Sequence, residues 1–126
     1  MHKSRLGGLI IDCNASDLEI AEKFWSSALG YPAKLSSNPE DAGYVVLDTR
    51  PGEPHIEIQQ VQHDSRVHLD IETDDVEAEV TRLESLGARR IEKVRDWWVM
   101  EAPTGHRFCV INADDATFEA RANKWR

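Results

Sequence analysis

Residues 67–88, VHLDIETDDVEAEVTRLESLGA, contain the pattern that decides the fold. Apolar and polar residues alternate over the first five positions, which is the period of a β-strand with two unlike faces. After Asp74, apolar residues recur every three or four positions, and this spacing is typical of an amphipathic helix. Gly87 follows the last of them, as expected where a helix ends in a left-handed conformation. The stretch therefore predicts a strand followed by a helix that ends at Gly87.

The same pattern occurs earlier in the chain, in residues 9–31, LIIDCNASDLEIAEKFWSSALGY. When the two stretches are aligned, Asp12 falls opposite Asp70. If the second helix is one residue shorter, Gly30 falls opposite Gly87. Self-similarity of this kind indicates that one structural unit occurs twice.

Each predicted helix begins with a capping box, in which an N-cap side chain is followed three residues later by a glutamate. Ser16 with Glu19 fits this pattern in the first helix, and Asp74 with Glu77 fits it in the second. The apolar residues expected to face the core are Leu18, Ile20, Ala21, Phe24, Trp25, Ala28 and Leu29 in the first helix and Val76, Val80, Leu83 and Leu86 in the second.

Three short strands are predicted after each helix, because apolar runs alternate with turn residues. They are residues 32–36, 44–48, 55–61, 89–94, 96–101 and 107–112. The order β-α-β-β-β therefore occurs twice, in module one (about 6–61) and module two (about 66–112). We expect an α+β fold of one domain, residues 1–126, in which two βαβββ modules form a curved mixed sheet around a cleft.

The tail, residues 113–126, contains two large aromatic residues, Phe118 and Trp125. We expect a last short helix here that docks through these side chains. The composition leaves open whether the docking surface belongs to this chain or to a partner subunit.

Composition excludes several classes of protein. The net charge is -8 and no basic patch stands out, which argues against a nucleic-acid partner. No apolar run is long enough to span a membrane, so no membrane partner is expected. The two cysteines, Cys13 and Cys109, do not make a disulfide framework, and we expect reduced thiols in the cytoplasm.

Strand alternation separates core residues from candidate functional residues. In the strand at 67–71, Val67, Leu69 and Ile71 are expected to pack on a helix, so His68 and Asp70 face the cleft. The same rule applies to the other strands, and the further residues it directs to the cleft are His55, Glu57, Gln59, Arg107 and Cys109. Trp97 and Trp98 are adjacent in one strand, so one ring is expected in the core and the other in the cleft.

Four segments carry a resemblance to a known family: EKFWSSALGY, RVHLDIETDD, LGARRI and PTGHRFCVI. Together with the doubled βαβββ order they resemble the vicinal-oxygen-chelate superfamily, which includes glyoxalase I, bleomycin-resistance proteins and extradiol dioxygenases. The chain is most similar to the small glyoxalase-like domains of that superfamily. The resemblance covers about residues 6–112 and implies the fold, a small-molecule ligand and a homodimer.

The resemblance also implies where a metal would bind. The family's ligand positions fall at Ile10, Glu57, His68 and Cys109, so the ligand set is incomplete: isoleucine cannot bind a metal, and a cysteine replaces an expected glutamate. The remaining ligands, His68, Glu57 and Cys109, suit a divalent ion such as Zn, Ni, Mn or Fe.

Other roles for these residues remain open. His68 can instead be a polar residue of a metal-free ligand site, and Cys109 a small buried residue. Asp70 can orient the His68 imidazole or pair with Arg66 or Arg107. We favour a structural role for Asp70, because its counterpart in the repeat, Asp12, has no histidine two positions earlier.

These observations support one leading hypothesis and two alternatives. The leading one is a glyoxalase-like protein that binds a small molecule in the cleft between its modules, with no reaction assigned. The second is a metal-dependent lyase, isomerase or dioxygenase that uses His68 and Glu57 as catalytic residues. The third is a metal-free, drug-sequestering protein of the bleomycin-resistance type. The remaining histidines, His2, His63 and His106, are expected at the surface or in loops.

Overall fold

The computed structural model describes residues 1–34, 36, 39, 42–114 and 116–126. Its elements in chain order are β1 (His2–Cys13), α1 (Leu18–Leu29), β2 (Ala33–Lys34), β3 (Tyr44–Leu47), β4 (His55–Gln60), β5 (Arg66–Thr73), α2 (Val76–Ser85), β6 (Arg89–Val94), β7 (Trp97–Glu101), β8 (Arg107–Asn112), α3 (Phe118–Arg121) and β9 (Asn123–Trp125). None of these helices is long and apolar enough to cross a bilayer.

The chain divides into two compact units. The inserted unit is Gly8–Val67, and the terminal unit combines Met1–Gly7 with His68–Arg126. Each unit contains a strand, a helix and three further strands in the predicted order. The α+β class is therefore confirmed, and most predicted strands lie within one or two residues of the observed ones. The strand predicted at 32–36 is shorter than expected, with Leu35 outside the described residues.

In the inserted unit, α1 packs on a sheet in the order β2-β3-β4-β1. β4 runs parallel to β1, and β3 runs antiparallel to both β2 and β4. Ala21 of α1 is buried with Cys13, Leu47 and Ile58, and Trp25 packs against this cluster. The helix thus buries one narrow stripe against one face of the sheet.

In the terminal unit, α2 packs on a sheet in the order β5-β8-β7-β6. β8 runs parallel to β5 and antiparallel to β7, which is in turn antiparallel to β6. Val80 and Leu83 of α2 are buried against Met100, Phe108 and Val110. These three strand residues therefore identify the face of the sheet that the helix covers.

The first helix begins one residue later than the capping box predicted. Asp17, rather than Ser16, is the N-cap, and its carboxylate accepts a hydrogen bond of 2.9 Å from the backbone N–H of Glu19. Aspartate and serine are equally good N-caps, so the sequence alone could not choose between neighbours. The predicted stop at Gly30 is confirmed, with φ at 77°.

The second helix shows the same shift of one residue. Asp75 is its N-cap and accepts from the backbone N–H of Ala78 at 3.0 Å. Asp74, the predicted cap, instead accepts a hydrogen bond of 2.8 Å from the backbone N–H of Lys3. The contact with β1 is distant in sequence and could not be read from local pattern. Gly87 takes the predicted left-handed conformation, with φ at 105°.

The apolar stripes of the helices are narrower than predicted. Ile20, Phe24, Leu29 and Leu86 are exposed, although the sequence pattern assigned all four to the core. Ile20 and Phe24 lie four residues apart and therefore share one side of α1, next to the side that buries Ala21. A helix packed on one sheet buries only part of a wide apolar stripe.

The tail forms the predicted short helix, α3, and docks on this chain. Phe118 is buried, and β9 pairs antiparallel with the start of β1, with His2 opposite Trp125. The indole N–H of Trp125 donates a 2.8 Å hydrogen bond to the hydroxyl of Ser4. The docking surface is therefore the first strand of the same chain, and β9 is an element that the sequence pattern did not predict.

A buried glutamate, Glu79, joins α2 to the first strand. Its carboxylate accepts hydrogen bonds of 2.7 and 2.9 Å from the Arg82 guanidinium and contacts Nε2 of His2 at 2.8 Å. The Arg82 guanidinium also lies 3.9 Å from the ring centroid of Trp125. The prediction that His2 is a surface residue is therefore wrong. A buried carboxylate needs such partners, because its desolvation costs more than one contact returns.

These partners determine the ionisation of Glu79. Burial raises the pKa of its carboxyl, but hydrogen bonds from Arg82, Ser4 and His2 outweigh burial and hold the pKa below its ordinary value. A carboxyl whose pKa is lower in the folded state stabilises the fold above its unfolded-state pKa. That stabilisation is lost as the pH falls through the folded-state pKa.

We expect Glu79→Gln to lower the free energy of unfolding at neutral pH by about 3 kcal/mol, because Arg82 would lose its buried counter-charge. The difference from the unmodified protein should narrow as the pH falls below about 4.3, the ordinary pKa of glutamate. Urea unfolding at neutral and acid pH measures both effects. Glu84→Gln, an exposed change on the same helix, is the control and should cost less than about 1 kcal/mol. Equal costs for the two variants would contradict this account.

Candidate metal and small-molecule site

The candidate site lies on the face of the terminal-unit sheet that α2 does not cover. In the parallel pairing of β5 with β8, Leu69 is opposite Phe108 and Asp70 is opposite Cys109. Because successive side chains point to opposite faces and Phe108 packs under α2, Asp70 and Cys109 share the other face. His68 precedes Asp70 by two residues and therefore lies on that face as well.

His68, Asp70 and Cys109 form the one group of potential metal ligands found among the described residues. Their ligand atoms, an imidazole nitrogen, a carboxylate oxygen and Sγ, all lie within 4.8 Å of one another. His68 Nε2 is 3.5 Å from Asp70 Oδ1, and the two side chains are only 14% and 11% exposed. The structure thus brings His68 and Cys109 together, as the sequence predicted, and adds Asp70.

The donor set fits a tetrahedral zinc ion with one open position. At the bond lengths zinc forms with nitrogen, oxygen and thiolate sulfur, neighbouring ligand atoms lie about 3.3–3.8 Å apart. The separation of His68 and Asp70 already falls in that range, and the 4.8 Å limit requires only small side-chain rotations. Three protein ligands with a fourth position left open is the arrangement of catalytic rather than structural zinc sites.

The two arginines considered as alternative partners of Asp70 contact other residues. Arg107 instead pairs with Glu101, and Arg66 lies 3.3 Å from the His63 ring. The spacing of two residues on one strand placed Asp70 on the same face as His68, as the sequence predicted. The structural role favoured for Asp70 did not include it among the candidate metal ligands, where the structure now places it beside His68 and Cys109.

The apolar residues beside His68 are not packed under the helix as predicted. Val67 is 58% exposed and Leu69 is 45% exposed, whereas Ile71 does pack against the core that α2 covers. Alternation correctly separated the two faces of β5, but the core under α2 reaches only the second half of this strand. At its first half, the polar residues are better buried than the apolar ones.

Three of the predicted site residues lie on β4 of the inserted unit. Glu57 has a carboxylate oxygen 3.7 Å from Nε2 of His55, and the amide of Gln59 donates to the Tyr44 hydroxyl at 3.1 Å. Ile58, between them, is completely buried, so these polar residues occupy the opposite face of β4. The cluster around His68 is contained in the terminal unit, and the role of Glu57 as a metal ligand stays a prediction.

The tryptophan pair in β7 separates as expected for adjacent strand residues. Trp98 packs against the core under α2, with the Arg90 guanidinium 4.9 Å from its ring centroid. Trp97 points to the face that carries the cluster, and the Arg95 guanidinium lies 5.8 Å from its ring centroid. Trp97 is therefore the aromatic residue available to a ligand on this face.

Arg107 also lies on this face and belongs to a three-residue ion network. Its Nε donates to Oε2 of Glu101 at 3.0 Å, while Arg89 donates to Oε1 of the same carboxylate at 2.9 and 3.0 Å. These hydrogen bonds hold the pKa of Glu101 below its ordinary value. The sequence analysis identified Arg107 but missed its connection to Arg89, because that connection depends on strand register.

The two thiols differ in their surroundings. Cys13 is buried in the inserted unit, and burial together with the Asp12 carboxylate raises the pKa of its thiol. Cys109 is half-buried within the candidate site. Thiolate is the reactive form, so both burial and a raised pKa protect Cys13 from modification.

We expect a disulfide reagent such as dithionitrobenzoate to modify Cys109 at least about tenfold faster than Cys13, because reaction at Cys13 requires local opening of the fold. Zinc should slow the fast phase if Cys109 is a ligand. Absorbance of the released thiolate measures both rates, and Cys109→Ser should remove the fast phase. A fast phase that persists in Cys109→Ser would contradict the assignment.

Comparison with known proteins is consistent with this architecture. The family model described as a glyoxalase-like domain matches residues 8–111. No match was found among the curated proteins. Methylmalonyl-CoA epimerase from Mycobacterium tuberculosis is 16% identical in structural alignment, with 92% of this chain and 93% of that chain covered and a TM-score of 0.61.

Two further solved structures show the same relationship. A glyoxalase/bleomycin resistance protein/dioxygenase superfamily member from Vibrio splendidus 12B01 is 16% identical over 87% of this chain and 99% of that chain, with a TM-score of 0.59. A Streptomyces coelicolor methylmalonyl-CoA epimerase variant in complex with 2-nitronate-propionyl-CoA is 17% identical over 86% and 94%, with a TM-score of 0.54. Likeness at these identities concerns the fold alone. The family match, which spans most of the sequence, carries the assignment: the chain belongs to the glyoxalase-like domain family.

Proposed function

We propose that this protein binds an oxygen-bearing small molecule at a divalent metal ion held by His68, Asp70 and Cys109. The observation that carries the proposal is the convergence of three different ligand atoms within 4.8 Å on one face of the terminal-unit sheet. An imidazole, a carboxylate and a thiol each lose hydration at low exposure, and a cation bound by all three would compensate for that loss.

The donor set favours zinc over nickel, manganese and iron. A thiolate is a soft ligand that suits zinc, whereas manganese prefers oxygen donors. When bound, the ion would polarise an oxygen atom of the ligand. Asp70 and the Cys109 thiolate would contribute two negative charges, which balance a dication and leave the centre neutral.

The alternatives differ from this proposal in the role of the metal. A lyase, isomerase or dioxygenase that combines His68 with Glu57 would need the same ion and adds a carboxylate base. A metal-free drug-sequestering protein would use Trp97 and the net charge of -8 to bind a cationic ligand. A cytoplasmic homodimer belongs to the proposal too, on the strength of the reduced thiols and the family resemblance.

The proposal predicts that chelator-stripped protein binds about one zinc ion per chain, more tightly than nickel, manganese or anaerobic iron(II). His68→Ala and Asp70→Asn should each weaken zinc binding by more than about tenfold, since losing even an outer-shell partner costs 10- to 100-fold. Isothermal titration calorimetry measures stoichiometry and affinity for all four ions.

His106→Ala is the matched control, because His106 is an exposed histidine of the same unit whose ring contacts the hydroxyl of Thr104 at 2.7 Å. It should leave zinc affinity unchanged. Absence of zinc binding, or affinity unchanged in both His68→Ala and Asp70→Asn, would reject the metal centre and favour the metal-free alternative.

A further inference from the structure

The strand register places a second group of charges beside the metal ligands. Arg107 lies one residue before Phe108, and His68 lies one residue before its partner Leu69, so Arg107 and His68 are neighbours across β5 and β8. Glu101 is opposite Arg107 on β7, and Arg89 is opposite Glu101 on β6. Neighbouring strands lie about 4.8 Å apart, so His68, Arg107, Glu101 and Arg89 form one continuous row.

This row carries an excess of positive charge. Glu101 is shared by Arg89 and Arg107, so one carboxylate faces two guanidinium groups. The lowered pKa of Glu101 keeps that carboxylate ionised, and the three residues together carry a charge of about +1.

The other charges on this face do not cancel the excess. Glu72 pairs with Arg5. Asp70 and Cys109 would be neutralised by the metal of the proposed function. Glu92, opposite Val99, is an exposed residue of β6, two strands away from Cys109, where solvent screens its charge. Arg107 is therefore the positively charged residue that the strand register places directly beside His68 on the neighbouring strand.

The Arg107 guanidinium retains unused hydrogen-bond donors. It donates to Glu101 through Nε, and neither terminal nitrogen bonds another described residue. A guanidinium has five N–H groups in a planar fork, so four remain for a ligand. The side chain is 37% exposed, compared with 69% for Arg89, so Arg107 is the better desolvated of the two.

We infer that the small molecule bound at this site carries a carboxylate, which Arg107 binds while another part of the ligand contacts the metal. A planar guanidinium fork matches a carboxylate in shape and charge, and such pairs are stronger than neutral hydrogen bonds. The inference rests on the proposed function, because it assumes ligand binding at the metal centre. The net charge of -8 by itself suggests a cationic ligand. Beside His68, however, Arg89, Arg107 and Glu101 carry a charge of about +1 once the proposed metal neutralises Asp70 and Cys109.

Two hydroxamates that differ in one group test the inference on the zinc-loaded full chain. Propanohydroxamate and succinic monohydroxamate both present the same metal-binding group, but only the second has a carboxylate at its far end. We expect the second to bind about tenfold more tightly, as one charge-assisted pair at a partly exposed site allows. Calorimetric titration of both probes gives the ratio, which should shrink as salt is added.

Three variants assign the effect to Arg107. Arg107→Gln should bring the ratio of the two affinities to about one, while about one zinc ion per chain is still bound. Lys93→Gln removes one positive charge from the other face of the same sheet and should leave the ratio unchanged. Glu101→Gln removes the competing carboxylate and should increase the ratio by several fold, which provides a test in the opposite direction if Arg107→Gln does not fold.

The outcomes separate the two proposals. Equal affinity of the unmodified protein for both hydroxamates would overturn the carboxylate inference and leave the metal centre standing. A preference that survives in Arg107→Gln, or is unaltered in Glu101→Gln, would also overturn it. Zinc binding without binding of either hydroxamate would overturn the inference and the small-molecule site together.

Discussion

The pairing of Asp70 with Cys109 across β5 and β8 is the constraint on which the candidate site depends. A shift of one residue in this register would turn Cys109 toward α2 and Phe108 toward the site face. The register is fixed from the other side of the sheet, where Phe108 and Val110 are buried against the helix. The apolar core therefore determines the position of the polar cluster on the opposite face.

The polar residues on the uncovered face of β5 are largely shielded from solvent. His68, Asp70 and Glu72 follow one another along one side of β5, and the last two are buried. Electrostatic interactions strengthen where water is excluded, so a cation or an arginine has more effect here than on the open surface. Glu72 already has its counter-charge in Arg5, whereas Asp70 lies beside the imidazole of His68, at 3.5 Å, and the thiol of Cys109. This difference marks the cluster around Asp70 as the part of the face suited to a ligand.

Sequence pattern predicted what depends on local spacing and failed where distant contacts decide. The repeated order of elements, five of the six strands predicted after the helices and the glycine helix ends depend on local pattern, and they are confirmed. Each helix cap was predicted one residue too early. Ser16 and Asp17 have the same capping preference, and Asp74 instead accepts a hydrogen bond from the backbone of Lys3, on a strand far away in sequence. Val67 and Leu69 are exposed because the core under α2 does not extend to them. The alternation of apolar and polar residues gives the face of a strand but not the extent of the core.

The contrast between local spacing and distant contacts also applies to the candidate site. His68 and Cys109 could be found from the family resemblance and alternation. Alternation also placed Asp70 on the face of His68, but its position opposite Cys109 required the register of β5 against β8. The charge around Arg107 was likewise invisible, because Glu101 and Arg89 meet it only through strand pairing. The net charge of -8 says nothing about this arrangement, in which two guanidinium groups share the single carboxylate of Glu101.

The pairing of β9 with the start of β1 has a consequence for how the chain folds. His2 and Trp125 meet although nearly the whole sequence separates them, and the terminal unit is assembled from both flanks of the inserted unit. Contacts this distant require closure of a long loop, which slows folding. On the ribosome, the inserted unit has all its residues early, whereas the terminal unit must wait for the last strand. The segment Met1–Gly7 therefore pairs with β9 only after the residues between them have been made, and the candidate metal-ligand cluster belongs to the unit that is completed last.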